Sequence, residues 1–302
     1  MLRAKHILDR AIQIFPKSSV ALGYLATIEK ALGFKERALM LFEKSVLIDK
    51  NRPDILHNYS GLLEDKDLKK AVKISTRAIK LEPANCVYLE RNGYLKWKSG
   101  DLLGALESSI KAIDLNPDLI DAHVNISGIQ KDLGNLDQAL ASTLKSLELK
   151  PDNPIALMNL GCIYKDLGNL GQALASTFKS LELKPDNPDA HMNLGVIYQD
   201  LGNLDQALAS TLKSLELNPD NPNAHINLGW IYKDLGNLDQ ALASTLKSLE
   251  LKPDNPTAHM NLGWIYKEHG NLDQAFASTL KSLELKPDNP TAHMNLGGIY
   301  KD

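Results

Sequence analysis

An all-α fold, a solenoid of stacked helix–turn–helix pairs, is what this sequence predicts, on three observations. One stretch recurs: AHMNLGVIYQDLGNLDQAL, from Ala190 to Leu208, returns thirty-four residues later as AHINLGWIYKDLGNLDQAL and again as AHMNLGWIYKEHGNLDQAF. A fixed period of this size marks a repeat array and overrides chain length as a guide to domain number. Each copy also carries two apolar patterns of mixed three- and four-residue step, parted by Gly and closed by Pro. Finally, each implied helix is about a dozen residues, too short to persist alone in water. Stability must therefore come from stacking on neighbours, in a nearly one-dimensional array.

Counting each unit from the Pro after Asp-Asn, copies begin at Pro154, Pro188, Pro222, Pro256 and Pro290, and more diverged ones near Ser19, Pro53, Cys86 and Ile120. The expected organisation is a single solenoid over 1–302. Residues 1–18 form a half repeat (a second helix), 19–289 eight full repeats, and 290–302 a half repeat (a first helix). The opening MLRAKHILDRAIQIF has no uninterrupted apolar core, so it does not read as a secretory signal. Ala4, Leu8, Ala11 and Pro16 instead align with Ala207, Thr211, Ser214 and Pro219 of a later copy.

Within Pro188–Asn221, Asn187 is placed to cap the first helix, with Pro188 at the first helical position, where a missing N–H costs nothing. Gly202 suits the left-handed residue that ends that helix. Asn203 is placed to cap the second helix, and Gln206 three residues on resembles a capping box. Leu204, Ala207, Leu208, Leu212, Leu215 and Leu217 give the second helix its apolar side, and Pro219 stops it.

A 34-residue helix pair with Leu194, Gly195, Tyr198, Gly202, Ala207 and Pro219 at these spacings resembles the tetratricopeptide repeat, over essentially the whole chain. Two departures recur: His191 stands where the family often has Trp, and Thr211 where it often has a large aromatic. The resemblance implies a right-handed α-α superhelix whose first helices line a concave groove, and a scaffold that binds proteins or extended peptide segments.

On a wheel advancing about 100° per residue from Leu194, Tyr198 falls at about 40°, Leu201 at about 340° and His191 at about 60°. This is the expected buried stripe, and it hardly varies among the later copies. Met192 at about 160°, Gln199 at about 140°, Val196 at about 200° and Asp189 at about 220° form the opposite face, where the copies differ. The Val196 position reads Gly128, Cys162, Val196, Trp230, Trp264 and Gly298; the Met192 position reads Val124, Met158, Met192, Ile226, Met260 and Met294. Two readings stand side by side. These side chains offer a binding surface, to which Trp and adaptable Met are well suited. Or they pack on the next unit as core.

Beside that face runs a ladder of Asn125, Asn159, Asn193, Asn227, Asn261 and Asn295, with Asn58 fitting the same frame. Stacked amides, each donor and acceptor, suit gripping a peptide backbone without reading its sequence. They equally suit bonding neighbouring helices, since buried amides must be bonded. The pattern is similar to the tetratricopeptide array of O-linked N-acetylglucosamine transferases, where an asparagine ladder holds peptide. That resemblance carries a second functional reading, a substrate-selecting region of a larger glycosyltransferase. The clamp that other tetratricopeptide domains use for chaperone carboxylates places a Lys where Met192 and Ile226 stand, and is not expected. The candidate contacts are the six asparagines, Trp230, Trp264, Met158, Met192, Met260 and Met294.

His123, His191, His225, His259 and His293 form a second ladder, but a zinc site needs several ligands within ~2 Å of one point, and ladder members about 10 Å apart do not converge. They read as core or interface histidines. Lys165, Asp166 and their copies read as a solvated face. The sequons at Asn58 and Asn125 fall inside predicted helices and read as chance.

No phosphate loop, nucleophile elbow or two-histidine zinc motif is present in the sequence, so neither a cofactor nor catalysis is expected. The chain is 43% hydrophobic and 24% charged with a net charge of −3. Residues 1–119 carry 20 Lys+Arg against 15 Asp+Glu, and residues 120–302 carry 14 against 22 with no Arg. This argues against nucleic acid as a partner, and no apolar run approaches the ~18 residues of a membrane span. Two cysteines make no disulfide framework, which favours a reducing, cytoplasmic setting. A self-assembling structural solenoid, stacking head to tail, is a third expectation.

Overall fold

The computed structural model describes residues 2–301, which contain eighteen helices and no strand. The chain divides into two compact units, residues 1–151 and 152–302. In the first unit α1 (Leu2–Ile14) is followed by four pairs: α2 (Ser19–Ala31) with α3 (Lys35–Ile48), α4 (Pro53–Leu63) with α5 (Leu68–Leu81), α6 (Cys86–Lys98) with α7 (Leu102–Leu115), and α8 (Ile120–Asp132) with α9 (Leu136–Leu149). The second unit pairs α10 (Pro154–Asp166) with α11 (Leu170–Leu183), α12 (Pro188–Asp200) with α13 (Leu204–Leu217), α14 (Pro222–Asp234) with α15 (Leu238–Leu251), and α16 (Pro256–Glu268) with α17 (Leu272–Leu285), then adds α18 (Pro290–Ile299). Within each unit a first helix touches its own second helix, the following first helix and the preceding second helix. Consecutive second helices do not touch, so each stack is tighter on its first-helix side.

The turns follow from local chemistry. Asn187 Oδ1 accepts from the backbone amides of Asp189 at 3.2 Å and Ala190 at 3.4 Å, and Gly202 has φ +76°, where a Cβ would be strained. Asn203 corrects the capping-box expectation: its side chain makes no cap hydrogen bond. The amides of Gly202 and Asn203 return to Gln199 O and Tyr198 O, both at 2.9 Å, closing a Schellman motif on the first helix. That closure holds Asn203 at φ −85°, ψ 68°, away from the extended backbone (ψ 104°) of the capping Asn187. Among the described second helices of this unit, α17 alone has the cap, Gln274 N donating to Asn271 Oδ1 at 3.3 Å.

The buried stripe is shifted from the sequence wheel. Ala190, Leu194, Gly195 and Ile197 are buried, whereas Leu201, expected inside, is 40% exposed. Leu201 is the C-cap, and the chain turns away there before another element can cover it. Ile197 closes the stripe on that side instead. The Thr at the family's aromatic position is explained by Gly195: a Cβ there would overlap Thr211 Oγ1 and stand 3.2 Å from Ala207 O. The two helices are too close for a large ring. The His at the family's Trp position is likewise a bonded residue. His191 Nε2 donates to Pro185 O at 2.9 Å, and His123, His225, His259 and His293 make the same bond at 2.8–2.9 Å.

The first unit is built from larger pieces. Phe42 and Tyr59 stack at 5.6 Å within a cluster that includes Ala26, Leu63 and Leu95. Asn92 replaces the buried Leu of later copies and is satisfied by Ser75 at 2.9 Å, Thr76 at 3.1 Å and Ser108 at 3.0 Å.

Candidate functional site

The face opposite the buried stripe is half-covered. On α12, Met192, Asn193, Val196 and Gln199 are half-buried and Asp189 is exposed. Asn159 and Asn227 are half-buried as well. Among the described residues, the side chains of Asn193 and Asn227 make no hydrogen bond, so their donors and acceptors are turned to solvent. Asn58 donates to Asp54 O at 3.0 Å within its own helix, and Asn295 donates to Met260 O at 3.3 Å.

Two rungs depart from the binding ladder. Asn261 is fully buried and donates to Thr245 Oγ1 at 2.9 Å, and Asn125 is 5% exposed and donates to Glu90 Oε1 at 2.8 Å. Each donates its Nδ2 to the preceding repeat and is buried, Asn261 Oδ1 without a partner, so neither amide is presented at the surface. Met260 is also buried, at 7% exposure. Met158, Met192 and Met260 each receive the Nδ2 of the next unit's capping asparagine at 3.8, 3.9 and 3.6 Å, so this row is partly a seam between repeats. Met294 is 75% exposed.

Trp230 and Trp264 come together around Lys233, a copy of the Lys165 position that the sequence reads as a solvated face. Lys233 Nζ lies 4.4 Å from the Trp230 ring centroid and 4.6 Å from that of Trp264. One ammonium thus faces two indoles, and the indoles remain half-buried. Lys233 occupies the position of Gln199 and Trp97 in other repeats, and these make a repeating clasp between first helices. Gln199 Nε2 donates to Asp234 Oδ2 at 2.6 Å and Trp97 Nε1 to Asp132 Oδ2 at 2.7 Å. The Lys–Asp alternation is therefore more than a solvated face. The signal was present in the repeat frame, where one position keeps an acid while its neighbour varies.

In the first unit the same positions carry charge. Glu64 accepts from Arg91 Nη2 at 2.7 Å, Lys98 Nζ at 2.7 Å and Tyr94 Oη at 2.9 Å. Burial pushes its carboxyl up, but these three donors outweigh it and hold it below the usual range. Glu90 goes the other way: burial raises its carboxyl and the Asn125 bond only partly offsets this. A carboxyl raised on folding stabilises fully below its unfolded value and loses that contribution as pH rises through the folded one. Glu90→Gln is therefore expected to increase stability at neutral pH and to flatten the fall between acid and neutral pH; urea unfolding at a series of pH values measures it.

Family models described as tetratricopeptide repeat match residues 120–153, 143–175, 188–221, 211–243 and 256–289, and a model described as TPR repeat matches 161–202 and 229–270. Together they span residues 120–289, more than half of the chain. A comparison with curated proteins gives no match. Among solved structures, a chain of the APC/C hetero-tetramer Cut9–Hcn1 superposes with a TM-score of 0.72 at 21% identity over 98% of this chain and 58% of that one. The present chain thus spans little more than half of that relative. A tetratricopeptide repeat protein from Parabacteroides merdae gives 0.63 at 21% identity, over 82% of this chain and 98% of that one. The Thermus thermophilus protein TTC0263 gives 0.55 at 26%, over 61% and 100%.

Proposed function

We propose, from the premise that this chain belongs to the tetratricopeptide repeat family, that it is a non-catalytic scaffold holding an extended peptide segment of a protein partner on its first-helix face. The observation that carries this reading is the unspent amides: Asn193 and Asn227 are half-exposed on consecutive first helices, in a molecule whose buried asparagines are bonded within the fold. Two such amides are placed to take up backbone N–H and C=O groups of a strand-like ligand. Trp230, Trp264, Met158 and Met192 supply apolar contact beside them. Asn125, Asn261 and Met260 belong to the support and not to the contact surface.

The test uses a peptide selected on the whole chain from a random-sequence library. Asn193→Ala/Asn227→Ala is expected to weaken that peptide by about ten- to a hundredfold, at roughly 0.5–1.5 kcal/mol per hydrogen bond, with helix content and melting nearly unchanged. Collapse of melting, with binding per folded molecule unaltered, would make the ladder structural and sink the reading.

A further inference from the structure

The first unit holds an arrangement that the peptide-gripping amides do not use. Three successive first helices each bring a basic side chain to one place: Lys30 from α2, His57 from α4 and Arg91 from α6. The floor is Gly61 of α4, in the position that Trp230 and Trp264 fill elsewhere. A Cβ on Gly61 would have Lys30 Nζ and Arg91 Nη2 each at 3.3 Å and Arg91 Cζ at 3.7 Å. Two cations therefore converge over a bare backbone, and His57 is held beside them by its ring contact with Tyr88, at 5.0 Å between centroids.

The cluster is only partly neutralised from within. Glu64 takes Arg91 and Lys98, and Asp65 takes Lys98 again at 3.3 Å. The Lys30 ammonium makes no ion pair or hydrogen bond among the described residues. Burial first, and then repulsion from Arg91, lower its ammonium despite the attraction of Glu64. His57 is lowered by burial and then by Arg91 and Lys30. Like charges are pressed together, with the Glu64 carboxylate set against them. The excess of Lys and Arg over Asp and Glu in residues 1–119 has the same sign.

We propose that Lys30, His57 and Arg91 form a site over Gly61 for a doubly charged phosphate monoester, carried as a phosphorylated side chain on a protein partner. That the anion comes on a protein rests on the function proposed above, while the anion chemistry does not. One carboxylate, Glu64, already lies against the cluster and leaves it cationic. A phosphate brings up to two charges and three acceptor oxygens, enough to meet an ammonium, a guanidinium edge and an imidazole together.

Phenyl phosphate titrated into the full chain, followed by calorimetry and by the ring signals of His57, tests this. Saturable binding with His57 shifting is expected, at least tenfold weaker in Lys30→Met and absent in Gly61→Asp, which builds an acid onto the floor. Lys35→Met, at an exposed lysine, is expected to bind as the parent does. No saturation, full binding by both site variants, or acetate binding as tightly as phenyl phosphate would each overturn the proposal. The library-selected peptide, unphosphorylated, should bind Lys30→Met unchanged, so peptide loss in Asn193→Ala/Asn227→Ala and phosphate loss in Lys30→Met report separately on the two proposals.

Discussion

Gly195→Val is expected to destabilise the second unit by about 3 kcal/mol or more, at the upper end of overpacking. Even the first carbon of the new side chain overlaps Thr211 Oγ1 and meets the backbone oxygen of Ala207 at 3.2 Å. Neither neighbour retreats easily: Thr211 is fully buried, and Ala207 O belongs to α13 itself. Removing a helical glycine returns only about 0.5–1 kcal/mol of backbone entropy, so the clash wins. Gly195→Ser should cost less, because α8 already carries Ser127 at this position, bonded to Thr143 at 2.5 Å. In an array held by nearest neighbours the loss is local, so hydrogen exchange in α12 and α13 should rise more than in α16 and α17. Equal stability of the valine variant in urea would show that the helix pair is looser than its geometry indicates.

Trp230→Ala/Trp264→Ala carries the largest expected effect on binding. Half-buried indoles beside unspent amides have the character of hot-spot residues, each costing at least about 2 kcal/mol when truncated, which is roughly thirtyfold per site. Stability should change less, since neither ring belongs to the fully buried set. Lys233→Met separates the two roles. It removes the cation and keeps an apolar stem between the rings, so the selected peptide should bind with little change. If Lys233→Met abolishes binding as fully as removal of both rings, the cation and not the aromatic surface makes the contact.

Much of the fold was legible because the repeat writes each local decision several times. Asn187, Pro188 and Gly202 announced where the first helix starts and stops, and the structure uses all three as expected. The second-helix cap failed because Asn203 serves two helices at once, and the Schellman closure of the first decides its backbone. The wheel misplaced Leu201 because it treats a helix as infinite, whereas Leu201 sits at the end, beyond its neighbours. The candidate face was found through the varying letters Val196, Trp230 and Trp264. Its partition into presented and spent side chains was not legible, for Asn193 and Asn261 are the same letter in nearly the same sentence.

By itself the sequence determined the period, the helix pairs, the caps of the repeated first helices and the face left off the main stripe, since all of these depend on residues within one copy or at one fixed offset. Only the tertiary structure decided that Asn261 and Asn125 turn inward, that Lys233 stands between two indoles, and that Lys30 and Arg91 meet over Gly61. Those outcomes depend on which side chains two or three successive helices bring to one point, and a distance across helices is set by packing, not by spacing along the chain.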